Sequence, residues 1–189
     1  MRGGWGTLAL AVLLVASCSG DDASDDAGAS LGVTEPPTSV TAPPLPAPGP
    51  EGTGVVVVGG SSSSFAVTGC RLVADPAEPE GAKTLVLMTG SGSTAGGVAF
   101  ELEVKRFSTG IDVKTYTDTV AYADTARILQ AQRIEVNGQV RDLRDPDAST
   151  SMIRTREAGL SASGLAGPPG SGAEADGTVG FGIDATCVL

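Results

Sequence analysis

Two segments of this chain alternate apolar and polar side chains with the period of a β-strand. In VAFELEVKR, Val98, Phe100, Leu102 and Val104 fall on one side and Glu101, Glu103 and Lys105 on the other. The C-terminal TVGFGIDATCVL groups Val179, Phe181, Ile183, Ala185, Cys187 and Leu189 opposite Asp184 and Thr186, which predicts an inward-pointing Cys187. Further strands are predicted at GVVVV (54–58), FAVTGCRLV (65–73), TLVLM (84–88), IDVKTY (111–116) and around Leu160. ARILQAQR, residues 126–133, consists of good helix formers and predicts one short helix. Asn137-Gly138 is the best turn signal. A three-residue loop there would match Val136 with Val140 and Glu135 with Arg141, and this patterning favours it over a strict two-residue turn. Repeated strands with Gly-rich turns and no alternating long helices predict a mainly β domain over residues 54–189. The expected form is an antiparallel β-sandwich or open barrel with at most one short helix.

The N-terminal third follows a different pattern. Arg2 precedes an apolar run from Trp5 to Val15, too short for a bilayer span of about 20 residues and long enough for a signal peptide over residues 1–17. The run ends in Val15-Ala16-Ser17-Cys18, which resembles the bacterial lipobox. That resemblance implies cleavage before Cys18, diacylglycerol on its sulfur and a fatty acid on its amine. Two or more acyl chains suffice for stable anchoring at a membrane. Residues 18–53 then carry no Lys or Arg, four Asp in GDDASDD and 7 of the chain's 12 Pro residues. Such a composition cannot bury enough apolar surface to offset its ordering entropy, so a disordered tether is expected. Thr34, Thr38, Ser39 and Thr41 sit in its Pro-rich part and are candidate O-glycosylation sites.

Composition narrows the chemistry. The 189 residues include 3 Cys; with Cys18 assigned to lipid, Cys70 and Cys187 remain. In an oxidising compartment these two are expected to pair, the alternative being two buried free thiols. A net charge of -10 would repel polyanions and excludes nucleic acid as a partner. The chain contains no His, which removes Ser-His and Cys-His nucleophile systems and His-ligated zinc. In TLVLMTGSGSTAGG the spacing of Gly90, Gly92 and Gly96 is one residue too long for a dinucleotide loop, and a strand instead of a helix follows, so a Gly-rich hairpin turn is expected. Glu101 and Glu103 read as a solvated strand face, and Asp142, Asp145 and Asp147 as part of a turn at Asp145-Pro146 with no Ca²⁺-loop spacing. Neither a catalytic residue nor a metal site nor a bound cofactor is expected.

The layout resembles the actinobacterial family of small lipoprotein antigens. The residues that carry the likeness are the lipobox and Thr/Pro tether, Val67-Thr68-Gly69 before the first domain cysteine, the apolar strand into TLVLMTGSGSTAGG, and the closing Phe181-x-Ile183-x-x-Thr186-Cys187. Cys70 follows Gly69 without a spacer, and RILQAQRIEVNGQVRDLRD is longer than the corresponding part of the family. The resemblance implies a non-enzymatic cell-envelope lipoprotein, held at the extracytoplasmic face of the cell membrane, that displays a β domain as an antigen or interaction surface toward a host receptor. An alternative from the aromatic-poor core is a carrier for an envelope lipid, glycolipid or small ligand. An apolar cavity of some hundreds of cubic ångströms would favour the carrier, and a dry packed interior would count against it.

Overall fold

The computed structural model describes residues 52–172 and 175–188. Cys18, Thr34, Thr38, Ser39 and Thr41 lie outside the described residues. Ten strands follow one another: β1 (Thr53–Val58), β2 (Ser61–Arg71), β3 (Ala82–Ser93), β4 (Ala99–Thr109), β5 (Thr115–Asp124), β6 (Ile128–Val136), β7 (Gln139–Asp142), β8 (Ile153–Arg156), β9 (Gly159–Ala166) and β10 (Val179–Thr186). They form one antiparallel sheet in the order β7-β6-β5-β4-β3-β2-β1-β10-β9-β8. The sheet curls into a half-barrel, and the curl brings β6 to the end of β9, where Gln130 and Gly167 exchange backbone hydrogen bonds of 2.8 and 3.1 Å.

The curl follows from the alternation. Phe100, Leu102 and Val104 of β4 are buried while Glu101 and Glu103 are exposed. The same parity buries Val56 and Val58 of β1, Val86 and Met88 of β3, Val120 and Tyr122 of β5, and Phe181 and Ile183 of β10. Each of these strands thus has an apolar face to remove from water, and curling lets one sheet cover itself. Phe65 fills the space that glycines leave: a Cβ on Gly54 would lie 2.3 Å from its ring, and one on Gly90 2.5 Å. Gly90 and Gly92 are therefore strand residues that accommodate an aromatic ring, and the hairpin turns beyond them, at Thr94–Val98, where Thr94 N–H bonds Val98 O at 2.8 Å.

Three local expectations are overturned. Residues 128–133, within the predicted helix, belong to β6, because Leu129, Ala131 and Arg133 alternate inward and their neighbours across the sheet reward that period over intrinsic propensity. The Asn137-Gly138 turn is the strict two-residue form, pairing Glu135 with Val140 and Val136 with Gln139. Both turn residues have positive φ, 52° and 75°, the geometry a tight hairpin demands, and at this sheet edge Val140 is only half-buried, so side-chain patterning carries too little energy to shift the register. Ile111–Lys114 form the turn between β4 and β5 instead of a strand, held by Gly110 at φ 88° and its N–H bond to Gly81 O at 2.9 Å.

Cys70 and Cys187 are joined by a disulfide with Cα atoms 5.8 Å apart. It ties β2 to the residue after β10, whose Cys187 is 1% exposed. The inward orientation expected of that cysteine is what permits the bond.

Candidate functional site

Three places could carry function: the interior, the line where the curled sheet meets itself, and the outer face of β3–β5. The interior is filled. Between β1, β6 and β10, the space lined by Val56, Val58, Leu102, Leu129, Phe181 and Ile183 amounts to about 10 Å³. That is near the minimum for a single water, and the lining offers it no polar partner. Phe100 and Tyr122, both buried, stack at 5.2 Å between ring centroids.

Along the line of closure the inward positions change from apolar to charged. Arg106 of β4, Asp118 of β5, Arg133 of β6 and Asp142 of β7 are successive cross-strand partners. Their charges alternate in sign. Arg106 donates to both carboxylate oxygens of Asp118, at 2.6 and 2.8 Å, and Arg133 Nε donates to Asp142 at 2.9 Å. This row holds the segment entering β8. Asp118 Oδ2 accepts from the backbone N–H groups of Met152 and Ile153 at 3.0 and 3.1 Å, and Arg133 Nη1 donates to Thr150 O at 2.8 Å. Arg144 extends the clasp, donating to Pro168 O at 2.7 Å and Ser171 Oγ at 3.1 Å. Where strand hydrogen bonds are missing, buried ionic side chains close the molecule.

These contacts also decide the roles of the acidic residues considered from sequence. Asp142 and Asp145 are both partners of Arg133, and Asp142 Oδ1 caps the backbone N–H groups of Arg144 and Asp145. Ala148 N–H bonds Asp145 O at 3.0 Å, so Asp145-Pro146 does make a turn. The row itself escaped sequence reading, although a signal was present: Arg106 continues the parity of Leu102 and Val104, Asp118 that of Val120 and Tyr122, and Arg133 that of Leu129 and Ala131. A charge at core parity on three neighbouring strands is an ion-pair network written in the pattern.

The outer face of β3–β5 carries a groove. Thr89, Ser91, Ala121 and Ala123 are small, and they leave a groove of about 440 Å³ around Glu101 and Glu103, with half-exposed Ile128 on one wall. A second depression of about 570 Å³ adjoins it, sharing Ser91, Glu101 and Ala123 and reaching Asp124. The carboxyl of Asp124 is held below its ordinary range, first by the Ala126 backbone N–H and then by the Tyr122 hydroxyl and Arg127. Burial and the neighbouring Asp124 push the Tyr122 hydroxyl upward. Asp124 and the Tyr122 hydroxyl are thus engaged with each other and with the turn, and the carboxylates that the groove offers to hydroxyl or ammonium groups of a partner are those of Glu101 and Glu103. Glu101 and Glu103 stand on this solvated face, as their alternation predicts. No family model, curated protein or solved structure matches this chain, so its own residues carry the functional reading.

Proposed function

We propose that this chain is a non-enzymatic cell-envelope lipoprotein of the actinobacterial antigen type. Cys18 carries diacylglycerol and a fatty acid, residues 18–53 form the tether, and the β half-barrel is displayed at the extracytoplasmic face. The observation that carries the reading is the combination of a stapled frame with a filled interior. The Cys70–Cys187 disulfide belongs to an oxidising compartment, in agreement with an export signal. The internal space of about 10 Å³ is far below that of a lipid-binding cavity, which favours display over a carrier that encloses its cargo. Recognition then falls to the outside of the sheet, where the Glu101 and Glu103 groove is open to a partner.

A Cys18→Ser variant expressed in an actinobacterial host tests the anchor. The wild-type chain is expected in the membrane fraction and the variant in the soluble extracytoplasmic fraction, uncleaved or cleaved elsewhere. Retention of the variant in the membrane to the wild-type extent would contradict the proposal.

A further inference from the structure

A further place lies at the end of the sheet where the β2–β3 connection meets the turn between β4 and β5, and the strand register builds it. Lys83 of β3, Ser108 of β4 and Tyr116 of β5 are successive cross-strand partners, so their side chains share a face. Ser108 and Tyr116 stand two positions beyond Arg106 and Asp118, and this parity puts them on the inner face, next to the ionic row. Simple alternation from Val86 would turn Lys83 outward. The register shift between Thr84 and Val86 inserts one residue, Leu85, which brings Lys83 round to the side of Ser108. Two glycines fix this end: Gly110 N–H donates to Gly81 O at 2.9 Å, and their φ angles are 88° and 87°.

Lys83, Lys114, Ser108, Tyr116, Leu85 and Ile111 line a depression of about 340 Å³ there, a volume at the lower end of the small-molecule range. Its charge is opposite to that of the outer groove, which offers carboxylates. Arg71, Arg106, Arg127, Arg133 and Arg156 are all in salt bridges with Asp or Glu, whereas neither the Lys83 nor the Lys114 ammonium has a partner among the described residues. Glu80 also lines the depression and pairs with neither. Two like charges in one concavity repel each other, and an anion seated between them relieves the repulsion. In a chain of net charge -10, such a pair left without a counter-charge marks a place for one from outside.

We propose that this depression binds the phosphate monoester of a sugar. A phosphate monoester carries about two negative charges at neutral pH, which match the two ammonium groups, whereas a carboxylate or a phosphodiester carries one. Lys83 and Lys114 hold the phosphate. A bare phosphate would leave most of the space empty, and the remaining lining suits a polyol. The Ser108 and Tyr116 hydroxyls can donate and accept, Glu80 accepts from sugar hydroxyls, and Leu85 and Ile111 give the C–H edge of the ring an apolar wall. The inference goes beyond the lipoprotein reading and stands whether or not Cys18 is acylated.

The lysines of the chain are Lys83, Lys105 and Lys114, and Lys105 lies outside the depression, 5.4 Å from the centroid of the Phe107 ring. Carbon-13 at lysine Cε therefore gives an NMR probe with its own control. Glucose 6-phosphate titrated into the labelled full chain in mild detergent is expected to shift the Lys83 and Lys114 signals and leave that of Lys105 in place. Inorganic phosphate, glucose and the methyl diester of the same sugar phosphate should each bind at least about tenfold more weakly, each lacking contacts worth a hydrogen bond to a charged group. Lys83→Met and Lys114→Met should each weaken glucose 6-phosphate binding roughly tenfold, and Tyr116→Phe about fivefold, with the amide spectrum of each variant reporting that it is folded. Equal shifts of all three lysine signals, no shift at Lys83 and Lys114, indifference to the lysine substitutions, or equal affinity for inorganic phosphate or the diester would overturn the proposal. The Cys18→Ser chain is expected to bind as the wild type does, so this reading and that of the anchor fail independently.

Discussion

A methyl group added at Gly90 would have to share space with the Phe65 ring, 2.5 Å away, and with Ala66 O at 3.1 Å. Because the ring is 3% exposed and wedged over Gly54 and Gly90, it cannot swing into solvent. Gly90→Ala is expected to cost about 1–3 kcal/mol by overpacking, whereas Gly96→Ala, with open space around it and an ordinary φ, should be close to neutral. Urea unfolding of the two variants checks the contrast. Charge at single residues sets the pH response. Glu78 accepts from the Thr84 backbone N–H and from Arg71, and these hold its carboxyl below the ordinary 4.5. Asp124 is likewise held below 3.8. A carboxyl depressed in the folded state binds its proton more readily once unfolded, so its stabilisation is complete above the ordinary value and is lost as pH falls through the folded one. Unfolding midpoints are expected to be flat from neutrality to about pH 5 and to drop below it, with Glu78→Gln and Asp124→Asn each shallowing the acid limb. An unchanged limb in both variants would assign the acid response to other groups.

At the scale of elements, the strands with clean apolar alternation were legible and those that carry ionic or small side chains inward were not. VAFELEVKR and TVGFGIDATCVL announce β4 and β10 because the inward positions Phe100, Leu102 and Val104 of the one and Phe181, Ile183 and Ala185 of the other are apolar. β5 hides behind TYTDTVAYAD, where the inward Asp118 interrupts the apolar parity, and the first half of β2 hides behind four serines that pair with β1. β6 was obscured by residues with high helix propensity, which masked the inward parity that Arg133 shares with Leu129 and Ala131. These inward charges make the closure ionic, and Asp118 is its most connected member. Asp118→Ala would leave Arg106 without its carboxylate and Met152 and Ile153 N–H groups without an acceptor. Loss of one partner of a buried pair costs about 3–5 kcal/mol, and the variant should also lose protection from amide exchange at Met152 and Ile153 before the rest of the sheet. Uniform loss across all strands would contradict a local clasp.

The described residues form a filled β half-barrel stapled by a bond that spans 117 residues of sequence. A bond closing so long a loop stabilises by up to about 4–5 kcal/mol in the chain-entropy model, so the Cys70→Ala, Cys187→Ala double variant should unfold at a markedly lower urea concentration. The pairing was within reach of cysteine counting, whereas the groove around Glu101 and Glu103 was not, because it arises from small outward residues on strands that are neighbours only once the order of the sheet is known. The anchor, the tether and the staple together make the central claim, which is that an exported, acylated chain carries this domain outside the cell membrane. Intact mass spectrometry of the protein purified from its own membranes in mild detergent, with and without reduction, tests it most directly. The account predicts a mature chain that begins at Cys18, carries diacylglycerol and fatty acid, and gains one hydrogen on each of Cys70 and Cys187 when reduced. A chain that retains residues 1–17, or one whose Cys18 bears no lipid, would contradict it.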